Sequence, residues 1–144
     1  MGLLMADDGG LSSFQRRMRA IPKAARNAVA PSLVASAEEI AAIQRSLAPD
    51  DPATPAPDLK SSIVVTGPGQ STPPYSQPGG AMVVPENAAV ITAGNTDVRY
   101  PHLQEYGTSH HAAQPFFWPG FRLGRKRALA RIKRGIGKAI KGAK

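Results

Sequence analysis

Pro22–Leu47 reads PKAARNAVAPSLVASAEEIAAIQRSL, and this stretch decides the fold. Ala25, Val29, Leu33, Ala37, Ile40 and Leu47 recur at helical spacing, so one side of a long helix is apolar. Pro22 stands at its first turn, where a missing N–H costs nothing. Pro31 lies inside the stretch and is expected to bend or split the helix. Ser12-Ser13, followed by Phe14, Met18 and Ile21, predicts a shorter helix ahead of it, so residues 12–47 read as helical. The stripe stops at Ala48-Pro49-Asp50-Asp51-Pro52, and residues 48–58, with four prolines, read as an extended loop.

The period then changes. Ser62-Ile63-Val64-Val65-Thr66, Ala81-Met82-Val83-Val84 and Ala89-Val90-Ile91-Thr92 are short β-branched runs bounded by Gly and Pro, which suits strands within 60–94. Residues 67–80 hold four Gly and four Pro, so they read as a long loop that becomes ordered only against a neighbour. Pro101 starts a short helical segment that ends at Gly107, the usual place for a left-handed C-cap. The region 99–121 thus combines a short helix with an aromatic loop. An amphipathic helix follows over 120–142, with Phe121, Ala128, Leu129, Ile132, Ile136, Ala139 and Ile140 on one side. The expected architecture is a single α+β domain over 1–144. In it, a small antiparallel sheet of three to four strands packs against the long N-terminal helix and the C-terminal amphipathic helix.

Charge is unevenly placed. Residues 1–119 hold 8 basic and 10 acidic side chains, whereas residues 120–144 hold 10 basic ones and no acid. The net +8 therefore describes the last helix rather than the body. The chain has no Cys, which excludes disulfides, thiol catalysis and Cys-ligated zinc. No apolar run approaches the ~20 residues of a membrane span, and Asp7-Asp8 interrupts the N-terminus where a signal peptide would be apolar. A soluble protein is expected.

The inventory of reactive groups is thin. His102, His110 and His111 are the candidate metal ligands, and no second cluster completes a zinc set around them. Gly67-Pro68-Gly69 lacks the Lys-Ser/Thr of a phosphate loop, and no nucleophile-elbow motif occurs. The expectation is a protein without catalytic residues, cofactor or metal. Two surfaces stand out instead. Gln114-Pro115-Phe116-Phe117-Trp118-Pro119-Gly120-Phe121 holds four of the chain's eight aromatics, which either pack under the last helix or anchor a subunit contact. Arg125, Lys126, Arg127, Arg131, Lys133 and Arg134 head the basic helix, which has several readings. Its cations face solvent, DNA phosphates, an acidic protein or a membrane surface, and Gly135, Gly137 and Gly142 weaken the last of these.

Four pieces recur in a familiar order: Ala48-Pro49; Leu59-Lys60-Ser61-Ser62-Ile63; Tyr100 through Glu105-Tyr106-Gly107-Thr108; and Ala113-Gln114-Pro115-Phe116. Over roughly 12–142 the chain resembles the small neck or tail-completion (head–tail joining) proteins of long-tailed bacteriophages and phage-derived gene transfer agents. It departs from them in lacking Thr-Gly before Leu59, in the proline content of 67–80 and in the basicity of its last helix. The resemblance implies a structural virion protein that forms a ring between the capsid connector and the tail. Six copies are expected by analogy with tail symmetry, and twelve is the alternative. Its partners would be the connector or stopper ring and tail-tube proteins, with transient contact to packaged DNA and none to membrane. Its place would be the particle's neck or tail, after assembly in the bacterial cytoplasm. The motif positions and the aromatic run nominate Tyr100, Glu105, Tyr106, Gly107, Pro115, Phe116, Phe117 and Trp118 as interface residues. For the basic helix, a channel that must release DNA quickly should not grip it, which favours a protein partner. The alternative from another class is a small basic nonspecific nucleic-acid-binding protein.

Overall fold

A computed structural model describes Ser12, Ser13 and Arg16 together with residues 23–49, 59–98, 101–109 and 112–142. Its elements run α1 (Lys23–Leu47), β1 (Val64–Thr66), β2 (Val90–Thr92), α2 (Pro101–Tyr106) and α3 (Phe117–Gly142). The expected shorter helix at Phe14, Met18 and Ile21 and most of the 48–58 loop lie outside the described residues.

α1 is one unbroken helix of 25 residues, so Pro31 does not split it. Pro31 is exposed, and the carbonyl its N–H would have satisfied belongs to exposed Asn27. Water can therefore replace the lost hydrogen bond. The apolar stripe is buried at Val29, Leu33, Ala37 and Ile40, but Leu47 at the helix end faces solvent.

Among the described residues the sheet is smaller than expected, two strands rather than three or four. β1 and β2 pair antiparallel with Val64 opposite Thr92 and Thr66 opposite Val90. Residues 81–84 do not join them. They are flanked by Gly80 and Pro85, expose Val83, and pair instead with the first arm of the 67–80 loop. Gly69 N–H donates to the Val84 carbonyl at 2.9 Å, and Val84 N–H returns to the Gln70 carbonyl at 2.8 Å. Thr72 and Met82 continue the ladder at 2.8 Å. Farther on, Gln77 and Ala93 exchange backbone hydrogen bonds at 2.8 and 2.9 Å. Within the single chain the loop is thus tied to the body at both arms, with Thr72 and Ser76 buried. Its four prolines fall where no donor is used, which reconciles their number with this order.

α1 is the central element, touching β1 and β2 and packing along the length of α3. One core cluster joins Ala41 and Ala48 to Leu59, Ile63, Ala93, Val98 and Phe116. A second joins Val29 and Leu33 of α1 to Ile136 and Ala139 of α3. The two helices run antiparallel, since Gly120 meets Gln44, Gly124 meets Ile40 and Gly135 meets Ser32.

α3 begins at Phe117, ahead of the expected Pro119 or Gly120. Its seam also differs from the predicted stripe. Gly120, Gly124, Ala128, Ile136 and Ala139 are buried, while Phe121 and Ile140 are exposed. Near the start of α3 the contact is made by small residues four apart, and toward its end by Ile136 and Ala139, which the predicted stripe contained. A Cβ at Gly120 would stand 2.4 Å from Gln44 Cγ and 2.9 Å from its Cα, so the helices approach as closely as glycine allows. Two hydrogen bonds cross this seam: Gln44 Nε2 donates to the Phe117 carbonyl at 2.8 Å, and Ser36 Oγ to the Ala128 carbonyl at 3.3 Å.

The seam predicts opposite signs for two alanine substitutions in one helix. Gly120→Ala forces backbone apart and should destabilise by about 1–3 kcal/mol. Gly137, whose added Cβ would meet nothing within 4 Å, gains helix propensity on Gly137→Ala, a stabilisation of about 0.5–1 kcal/mol. Urea unfolding of both variants checks this, and equal effects would remove the seam as the reason.

Candidate functional site

α2 is only six residues long, yet it organises the start of α3. An α-helix leaves four N–H groups without intrahelical partners at its N-terminus. In α3 these belong to Phe116, Phe117, Trp118 and Pro119, and proline has none to offer. The other three all point at the Glu105 carboxylate. Phe116 and Phe117 donate to Oε1 at 2.9 and 2.8 Å, and Trp118 donates to Oε2 at 3.2 Å. The first intrahelical bond follows from Gly120 N–H to the Phe116 carbonyl at 3.1 Å. Every donor of the first turn is accounted for. The negative carboxylate also sits at the positive end of the helix dipole.

The segment preceding the helix is tied to the same place, with Gln114 N–H donating to the Gln104 carbonyl at 2.7 Å. Gly107 ends α2 with φ +77°, the left-handed conformation expected for it, and the chain then turns back toward α3. Glu105 is buried, as is Phe116, the largest fully buried side chain. Both were expected at an interface, and both are interior. The carboxylate is consumed by the cap, and the ring by the core cluster that it shares with Ala48, Leu59 and Ile63.

Other nominated residues do reach the surface. Tyr106 is 70% exposed and Trp118 38%. Pro115 is exposed, Gly107 and Phe117 are half-buried, and Tyr100 lies outside the described residues. Trp118 Nε1 donates to the Tyr106 hydroxyl at 3.0 Å, so the two rings form one rigid edge. Phe116, Phe117, Trp118 and Phe121 stack edge to face in sequence, with centroids 5.1 to 6.3 Å apart. This edge borders an open, mainly apolar cleft of about 80 Å³ that Gln77, Pro78 and Ala93 also line.

The nominated cations divide in two. Arg127 and Arg131 reach across the seam to Glu39 of α1, at 3.2 and 2.7 Å. They hold the helix pair together. Arg125, Lys126, Lys133 and Arg134 are exposed and make no ion pair among the described residues. No group of three or more His, Cys, Asp or Glu side chains comes together among the described residues, and no described helix is long and apolar enough to cross a membrane.

Sequence reasoning missed Gln44, Gly120 and Gly124, which set the helix seam, and it missed the capping role of Glu105. The small-residue spacing Gly120-x-x-x-Gly124-x-x-x-Ala128 was the available signal for the first. For the second there was no local one, because the cap and the helix start are 11–13 residues apart. No family model matches the chain, and no curated protein or solved structure is significantly similar to it.

Removing the cap strands three N–H groups. Glu105→Ala should therefore destabilise by about 2–4 kcal/mol, and Glu105→Gln, which keeps an acceptor, by about 1 kcal/mol. Chemical denaturation measures both, and a harmless alanine would contradict the capping geometry. Gly107→Val should cost more than ~1 kcal/mol, because a β-branched residue resists positive φ. A melting temperature equal to that of the parent would argue against it.

Proposed function

We propose that this chain is a structural subunit of the head–tail interface of a phage or gene transfer agent. It would form a neck or tail-completion ring that joins the capsid connector to the tail. The supporting observation is spatial. Ala48, Leu59, Ile63 and Phe116, drawn from three of the four sequence pieces that carry the resemblance, belong to one core cluster. The fourth piece supplies Glu105, whose carboxylate takes the Phe116 N–H beside that cluster. Pieces spread over nearly seventy residues thus act as one folding device.

The small residues around them have physical roles that suit a fixed scaffold. Ser62 Oγ donates to the Leu59 carbonyl at 2.7 Å and accepts from Gly94 N–H at 3.1 Å, which closes the turn into β1. Arg45 binds the Ile63 carbonyl through two nitrogens, at 2.6 and 3.2 Å, and fixes the end of α1 to the same turn. The parts left outward are rigid aromatics, Tyr106 and Trp118, at the edge of the apolar cleft. Such rings lose little entropy on docking and are common anchors at protein interfaces. A heterologous contact made through them closes into a ring if its rotation divides a full turn. Six copies follow by analogy with tail symmetry, and twelve is the alternative.

The test is to inactivate the gene in a particle-producing host and examine lysates by electron microscopy. The reading predicts filled heads and separate tails that fail to join, restored by the intact gene in trans. Complete, normally joined particles would overturn it. A second expectation concerns the aromatic edge. Tyr106→Ala with Trp118→Ala should leave the subunit folded but lower ring occupancy more than tenfold, read by native mass spectrometry of the purified protein at assembling concentration.

A further inference from the structure

The strongest unassigned surface is the distal end of the helix pair, away from the aromatic edge. Lys133, Arg134, Lys138 and Lys141 of α3 are all exposed there, and none makes an ion pair among the described residues. Because α1 runs antiparallel, its first turn brings the positions of Lys23 and Arg26 to the same end. α3 contains no acid, and the nearest acids along α1 are Glu38 and Glu39. Glu39 already holds Arg127 and Arg131. Glu38 lies near Arg45, at 3.8 Å. Nothing on either helix neutralises the distal cations.

Helix stabilisation explains only part of them. Cations near a helix C-terminus are favoured by the dipole, but the effect fades beyond the last turn. That covers Lys141 and, at its limit, Lys138. Lys133 and Arg134 stand about two turns or more from Gly142 and need another reason.

The chemistry of the surroundings selects the ligand. A protein interface rests on a desolvated apolar or aromatic centre from which charges are depleted. Here Ile140, 40% exposed, is the one large apolar side chain facing solvent on the distal half of α3. Trp118 and Phe121 lie at the other end of the helix, about 28–33 Å from Ile140 at 1.5 Å per residue. A phosphate backbone makes no such demand. It asks for closely spaced cations on a firm support. Ile136 and Ala139, packed on Val29 and Leu33, provide that support.

We infer that this distal end binds the phosphate backbone of double-stranded DNA, without base readout, through Lys133, Arg134, Lys138 and Lys141. Of the six cations nominated from the sequence, Lys133 and Arg134 belong to this surface, whereas Arg125, Lys126, Arg127 and Arg131 lie nearer the start of α3. It does not depend on the ring, since one chain carries the whole surface. Its failure would leave the proposed assembly role untouched.

The experiment is fluorescence anisotropy of the full chain with a labelled duplex of about 25 base pairs across a salt series. Four phosphate contacts predict a slope of log K against log salt near −4, an affinity loss of about 10²-fold between 50 and 200 mM salt. The variant K133Q/R134Q/K138Q/K141Q, whose changes are all exposed, should keep the parent's circular dichroism. It should lose at least tenfold in affinity at low salt, and its slope should fall toward about −1. A triple variant of Arg122, Arg125 and Lys126 to Gln should retain most of the binding. Three outcomes would overturn the inference: no duplex binding at about 50 mM salt, equal losses in the two variants, or tighter binding to a polyglutamate peptide than to DNA through the same residues. The last would assign the surface to an acidic protein.

Discussion

A single buried carboxylate sets the geometry on which the rest of the molecule depends. Glu105 accepts the three available N–H groups of the α3 N-terminus, and Pro119 removes the need for a fourth acceptor. The start and heading of α3 are therefore fixed from outside the helix. From that point α3 must run back along α1, and it can do so closely because Gly120 and Gly124 present no side chain to Gln44 and Ile40. Gln44 Nε2, bonded to the Phe117 carbonyl, ties the capped turn to α1. Cap, seam and core cluster meet within one helical turn.

That arrangement separates the two ends of α3 by character. At the capped end, rings that do not fit the core are held rigid and outward, with Tyr106 and Trp118 braced by their hydrogen bond. At the other end the seam carries Ile136 and Ala139, while the remaining surface is cationic. Arg127 and Arg131 lie between the two and are neutralised by Glu39. The helix thus exposes aromatic rings at one end and mainly cations at the other. The proposed subunit contact and the proposed DNA contact would use opposite ends of one long rigid element.

Much of this was legible in the sequence where the signal is local. The stripe Val29, Leu33, Ala37, Ile40 gave α1, and Pro101 with Gly107 bounded α2, because periodicity, proline and positive φ act within a few residues. The third strand was misread because Ala81–Val84 has strand propensity but its bonding partner is the loop arm at 69–72. Hydropathy placed the α3 stripe correctly at Ala128, Ile136 and Ala139 but not at Phe121 and Ile140. A glycine seam scores as neither apolar nor polar, so Phe121 and Ile140 drew the face toward themselves although both are exposed. Glu105 was nominated as an interface residue from its motif position, which says nothing of where its carboxylate turns. A capping box announces itself three residues from the N-cap, whereas this cap acts over a separation of 11–13 residues and is visible only in three dimensions.

The measurement closest to the central claim is amide hydrogen exchange of the free subunit, read residue by residue by NMR. First-turn amides of an ordinary helix exchange quickly, having no intrahelical acceptor. If Glu105 holds them, Phe116, Phe117 and Trp118 should exchange as slowly as the amides of Gly124 and Ala128 in the seam. Rapid exchange at those three positions, with the interior of α3 still protected, would mean that the carboxylate does not anchor the helix.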